Sequence, residues 1–154
     1  MTIKGLQLLL VEDDPADAEL TTLALRKHNL LTSIEIARDG AEALDFLFCR
    51  GRFQQRSFDN PPQLVLLDLK LPRVSGHSVL RTLKSDGRTR PIPVVILSSS
   101  NLDTDIAQCY ALGANSYIQK PAALDDFQET VRQFGAFWLR INQPPPASAF
   151  TDAF

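Results

Sequence analysis

Four short strand-like runs, LQLLLV (6–11), QLVLL (63–67), PVVIL (93–97) and NSYIQ (115–119), each hand over to a polar or charged residue. Runs this short, bounded by turn residues, read as strands rather than helices. Between them apolar residues recur at helical spacing. Leu20, Leu23 and Ala24 share a face from about Pro15 to Lys27, Ala43, Leu44 and Leu47 follow Asp39, and Val79, Leu80 and Leu83 follow Gly76. A further helix ends near Leu112, and a last one from about Ala122 to Ile141 lines up Leu124, Phe127, Val131, Phe134, Trp138 and Ile141. Asp14 and Pro15 start the first helix as N-cap and first-turn proline. With a short strand near Ser33 to Ala37, five strands alternate with five helices. Parallel strands need right-handed crossovers, so the pattern predicts an α/β fold, a doubly wound five-stranded parallel sheet with helices on both faces.

In open parallel sheets, ligands bind at the carboxyl ends of the strands. Glu12 and Asp13 end the first strand, Asp68 the third and Ser98 the fourth, and Lys120 follows the fifth. Any one of them alone is an ordinary solvated strand end; together they meet at one edge. Three carboxylates about 5 Å apart repel by roughly 3 kcal/mol per pair at an effective dielectric of about 20. One lysine does not offset that, whereas a hard dication does, and all-oxygen ligands suit Mg2+. A carboxylate beside Mg2+ and a lysine can attack phosphorus to give an aspartyl phosphate. Asp68, alone on a central strand, is the candidate nucleophile.

The remaining features narrow the class. A net charge of -2 over 154 residues gives no basic field for nucleic acid. No apolar run approaches the roughly 20 residues that span a bilayer, and MTIKG has no secretory pattern, so no membrane association and a cytoplasmic location are expected. Cys49 and Cys109 are expected as buried free thiols, and His28 and His77 as surface residues. Residues 51–62 read as a long surface connection.

VEDD (11–14), LLDLKLPRVSG (66–76), VVILSSS (94–100) and SYIQKP (116–121) resemble the four signature segments of the receiver domain of two-component response regulators. The resemblance implies a flavodoxin-like (β/α)5 receiver fold of strand order 2-1-3-4-5 over residues 1–141, then a proline-bearing tail over 142–154 and no output domain. It implies Asp68 as phosphoacceptor and metal ligand, Asp13 as a direct Mg2+ ligand, Glu12 as a ligand through water and the Lys70 backbone carbonyl as a further one. Lys120 and Ser98 would bind the phosphoryl group, and the Lys120–Pro121 bond would be cis; Ser99 stands where alanine is frequent and is a further candidate phosphoryl-binding hydroxyl. Ser98 and Tyr117 would form the switch, Ser98 moving toward the phosphoryl group and Tyr117 turning into the space left. Lys70 stands where asparagine is common, which leaves a backbone ligand intact.

The segment FLFCRGRFQQRSFDNPP (46–62) and the ending FWLRI (137–141) are similar to the regulators that serve cyanobacterial-type phytochromes. That likeness implies a phytochrome-type histidine kinase as donor. Alternatives are a phosphorelay intermediate, or a degenerate receiver acting as a binding scaffold. Dehalogenase-type phosphatases also form an aspartyl phosphate, but they need a second acid two residues after the nucleophile, where Lys70 stands. The chain is therefore not expected to be an enzyme in the usual sense, beyond Mg2+-dependent self-phosphorylation from a phosphodonor and self-dephosphorylation. FGAFWLRI (134–141) is apolar on nearly every side. Phe137 on the flank of the stripe and Leu139 facing away from it predict a homodimer through the fourth helix, fifth strand and last helix, unless Phe150 or Phe154 folds over the patch.

Overall fold

The computed structural model describes residues 6–31 and 33–151. The five strands are β1 (Leu8–Val11), β2 (Ile34–Ala37), β3 (Leu64–Leu67), β4 (Val94–Ser98) and β5 (Ser116–Gln119). They alternate with α1 (Pro15–Lys27), α2 (Gly40–Leu47), α3 (Gly76–Lys84), α4 (Asp103–Ala111) and α5 (Leu124–Gly135). All pairings are parallel, in the order β2-β1-β3-β4-β5. The sequence-based fold class and strand order both hold.

Side chains on a strand alternate between faces, and that alternation divides the core in two. Leu9, Val11, Val65, Leu67, Val94 and Ile96 pack under α2, α3 and α4. Leu8, Leu10, Leu64, Leu66, Val95 and Leu97 pack under α1 and α5. Side-chain oxygens cap three helices: Asp14, as expected, accepts from the Ala16 N–H, and Asp39 accepts from Glu42 and Ser75 from Ser78. The register then aligns the strand ends, with Val11 opposite Leu67 and Ser98 opposite Gln119, so that Glu12, Asp68 and Lys120 leave the sheet at the same edge.

The connection at 51–62 is pinned down. Phe53 is buried edge-on to Phe46 at 5.0 Å, and the Arg56 guanidinium lies 3.7 Å over the Phe46 ring. That guanidinium also donates to the carbonyls of Phe46 and Asn60. Cys49 and Cys109 are free thiols, Cys109 buried and Cys49 partly so.

Several expectations are corrected. Leu23 is exposed, because α1 turns Ala18, Thr21, Ala24 and Leu25 inward instead. His77 is largely covered, with its Nε2 4.0 Å from Asp105 Oδ1, because α3 packs against α4. The Lys120–Pro121 bond is trans, the form an X–Pro amide favours by about 0.5–1 kcal/mol without other constraint. The last helix changes pitch: Ala136–Ile141 is a π-helical turn in which the Asn142 N–H reaches the Phe137 carbonyl five residues back. The extra residue advances the apolar stripe from Trp138 to Leu139. Leu139 is therefore buried in the chain's own core and is not available to an interface, while Phe137, at 46% exposure, and Ile141 face outward. Leu124, at the start of α5, is also exposed. Phe150 does not cover this patch; the tail crosses to the other face, where Phe150 packs on the α2–α3 side and the Thr151 N–H donates to the Gly87 carbonyl at 3.1 Å. Phe154 lies outside the described residues.

Gly76 opens α3 against the backbone that follows β3. A Cβ there would stand 2.3 Å from the Asp68 carbonyl oxygen and 2.6 Å from the Leu69 Cα. Gly76→Ala should therefore destabilise the fold by about 1–3 kcal/mol, the usual range for overpacking against an immobile neighbour. A drop in the urea midpoint with an unchanged m-value checks it.

Candidate metal and phosphoryl site

Glu12, Asp13 and Asp68 each offer an oxygen, and these oxygens lie within 4.8 Å of one another. The Asp68 N–H donates to the Val11 carbonyl at 3.1 Å, which fixes β3 beside β1 at this point. Asp68 Oδ1 accepts from the N–H groups of Leu69 at 2.7 Å and Lys70 at 3.4 Å, while Oδ2 faces Lys120 Nζ at 3.2 Å. Asp13 is exposed and Glu12 is buried. Lys120 is placed by its own N–H, which donates to the Ser98 carbonyl at 2.7 Å and extends the β4–β5 pairing one residue past the strand.

The electrostatics follow from this packing. Burial disfavours the Lys120 ammonium, but Glu12, Asp68 and Asp17 outweigh it and its pKa is raised. Burial pushes the Glu12 carboxyl up to about 7 despite Lys120. Glu12, Asp17 and Asp68 share the single ammonium of Lys120, with Asp13 close by, so the cluster is short of positive charge. Clustered oxygen donors and that shortfall fit a hard divalent cation of the Mg2+ kind.

Ser98 is buried and its Oγ accepts from the Ser100 N–H at 3.2 Å. Ser99 is exposed and lines an open cleft of about 550 Å³ with Asp17, Gln119, Lys120, Pro121 and Ala122. The Tyr117 hydroxyl donates to the Ser100 carbonyl at 2.8 Å, and the Ser100 hydroxyl donates to Asp105 at 2.6 Å. Tyr117 is thus already seated against the loop after β4, whereas the sequence reading has it turn inward only after Ser98 moves.

Asp17 was missed from sequence. Its Oδ2 lies 3.1 Å from Lys120 Nζ, yet an acid in the first turn of a helix reads as ordinary complementation of the helix dipole. The available signal was its place one turn after Asp13, on the same edge as the other acids.

Residues 8–132 match the response regulator receiver domain, and the chain belongs to that family. It is 41% identical over 138 residues to the probable methanogenesis regulatory protein FilR2 of Methanothrix harundinacea, covering 90% of this chain and 86% of FilR2. It is 36% identical to response regulator Rcp1 of Synechocystis sp., covering 91% of this chain and 93% of Rcp1. The Mn2+-bound structure of Rcp1 aligns with a TM-score of 0.84 over 90% of this chain and 98% of that one. The phosphorylated cyanobacterial phytochrome response regulator RcpA aligns with a TM-score of 0.85 at 37% identity, over 92% of this chain and 99% of that one. Among the described residues no helix is long and apolar enough to cross a membrane.

The raised Glu12 value has a sign that can be measured. Between its ordinary value of 4.5 and about 7 the folded state keeps a proton that the unfolded chain has released. Stability therefore falls as pH rises through that window. In EDTA, wild type should lose up to about 3 kcal/mol relative to Glu12→Gln between pH 4.5 and 7.5, as compared by urea denaturation.

Proposed function

We propose that this chain accepts a phosphoryl group on Asp68 from the phosphohistidine of a histidine kinase, of the phytochrome type, and signals through the surface of α4, β5 and α5. An Asp68 carboxylate oxygen attacks phosphorus, the P–N bond to the imidazole breaks as the P–O bond forms, and the electron pair leaves on the imidazole nitrogen. Mg2+ held by Asp13, Asp68, the Lys70 carbonyl and, through water, Glu12 would neutralise charge on the transferring group. Lys120 donates to a phosphoryl oxygen, and the Ser98 and Ser99 hydroxyls are the further donors nearby. The observation that carries the assignment is the grip on Asp68, with one oxygen on backbone N–H groups and the other on Lys120, beside two further carboxylates. The likeness to RcpA supports the phytochrome-type donor.

The output route runs through Ser100. Its N–H is held by Ser98, its carbonyl by Tyr117 and its hydroxyl by Asp105 of α4. Drawing Ser98 toward a phosphoryl group strains all three contacts together. Moving a two-state equilibrium from 1:99 to 99:1 takes about 5.5 kcal/mol, which a few charge-assisted hydrogen bonds of about 1.5–3 kcal/mol each can supply. Incubation with phosphoramidate and Mg2+ should add one phosphoryl mass, labile to hydroxylamine, and Asp68→Asn or EDTA should abolish it. A modification that survives Asp68→Asn places the chemistry elsewhere.

The same proposal includes a homodimer on this side of the molecule. Tyr110 on α4, Leu124 on α5 and Phe137 and Ile141 on the π turn are all exposed apolar side chains, and a symmetric contact buries one patch with its own copy. Sedimentation should show a dimer that becomes monomeric on Phe137→Ala with Ile141→Glu; a wild-type monomer at high micromolar concentration, phosphorylated or not, overturns this.

A further inference from the structure

Lys120 Nζ contacts three carboxylates, Glu12 at 2.7 Å, Asp17 at 3.1 Å and Asp68 at 3.2 Å. An ammonium has three hydrogens to donate, so none is left over. A phosphoryl group on Asp68 brings three new acceptor oxygens; the hydrogen now on Asp68 Oδ2 passes to one of them, and a hydrogen for a second must be withdrawn from Glu12 or Asp17. The three partners differ in what release costs. The Glu12 side chain is 4% exposed, so losing its hydrogen bond from Lys120 leaves a buried oxygen that water does not reach, which is expensive. Asp68 carries the phosphoryl group itself. The Asp17 side chain is 33% exposed on the rim of the open cleft, in the first turn of α1, where water and the helix N-terminus can take over its charge.

Taking Asp68 and Lys120 in the roles proposed above, we infer that Asp17 is a positioning residue for phosphoryl transfer. It occupies the third hydrogen of Lys120 in the resting chain and gives it up to the incoming phosphoryl group, so its charge restrains the rate at which Asp68 is phosphorylated. Lys120 is thereby held in place before the donor arrives, and Asp17 is the partner whose contact is broken on activation.

Two measurements test this. With phosphoramidate as donor, Asp17→Asn should raise the second-order rate of acyl-phosphate formation by about tenfold or more, the low end of the strength of one charge-assisted hydrogen bond. In a Lys120→Arg background, whose guanidinium has donors to spare, the same substitution should change the rate less than about twofold. An equal gain in both backgrounds, or no gain from Asp17→Asn, overturns the inference. A crystal structure of the phosphorylated chain supplies the second readout: Asp17 should stand beyond about 3.5 Å from Lys120 Nζ, and finding Asp17 in place with Glu12 released overturns it. Wild type that takes no phosphoryl group at all defeats the proposed phosphoacceptor role of Asp68, and the inference with it.

Discussion

The ammonium of Lys120 holds the site together from the margin of the sheet. It leaves β5, an edge strand, and reaches past β4 to carboxylates that follow β1 and β3 and to one on α1. Parallel strands lie about 4.8 Å apart, so these side chains converge only because the register ends neighbouring strands level with one another. The aliphatic runs that build the sheet therefore also aim the charges. Repulsion among the carboxylates is tolerated because buried leucine and valine fix the backbone beneath them.

Close packing of backbone on backbone makes that arrangement rigid. Gly76 brings the start of α3 against the carbonyl of Asp68, and the Asp68 N–H is spent on β1. The Asp68 backbone is thus held on both sides, and its side chain is left to face Lys120. On the other side, Ser100 gathers contacts from Ser98, Tyr117 and Asp105 into one residue, with the covered His77 beyond Asp105. The strand ends thus rest on a firm floor beneath and abut a hydrogen-bonded cluster at Ser100.

Strand identity, the Asp14 cap and the shared edge were legible in the sequence because each depends on local patterning: aliphatic runs, Asp-Pro before a helix, and polar residues at run ends. What escaped depended on contacts distant in the chain or on backbone hydrogen bonding. Asp17 is an unremarkable helix-start acid until β5 brings Lys120 to it. Leu139 looked solvent-facing under a 3.6-residue period, which the π turn abandons after Gly135. His77 looked exposed because nothing local announces that α4 will cover it. The proline-bearing tail gave no hint that Phe150 and Thr151 would meet the far face of the sheet.

The π turn also carries a consequence for how such a surface diverges. A π turn accommodates one more residue than the α-helical path, so it behaves as a single-codon insertion absorbed where it occurs. Everything before Gly135 keeps its phase, while every side chain after it is rotated to a new bearing. Gain or loss of one codon in this stretch would exchange the outward roles of Phe137, Trp138 and Leu139 in one step. The apolar face beyond α5 can thus be re-tailored by length alone, without a substitution near Asp68.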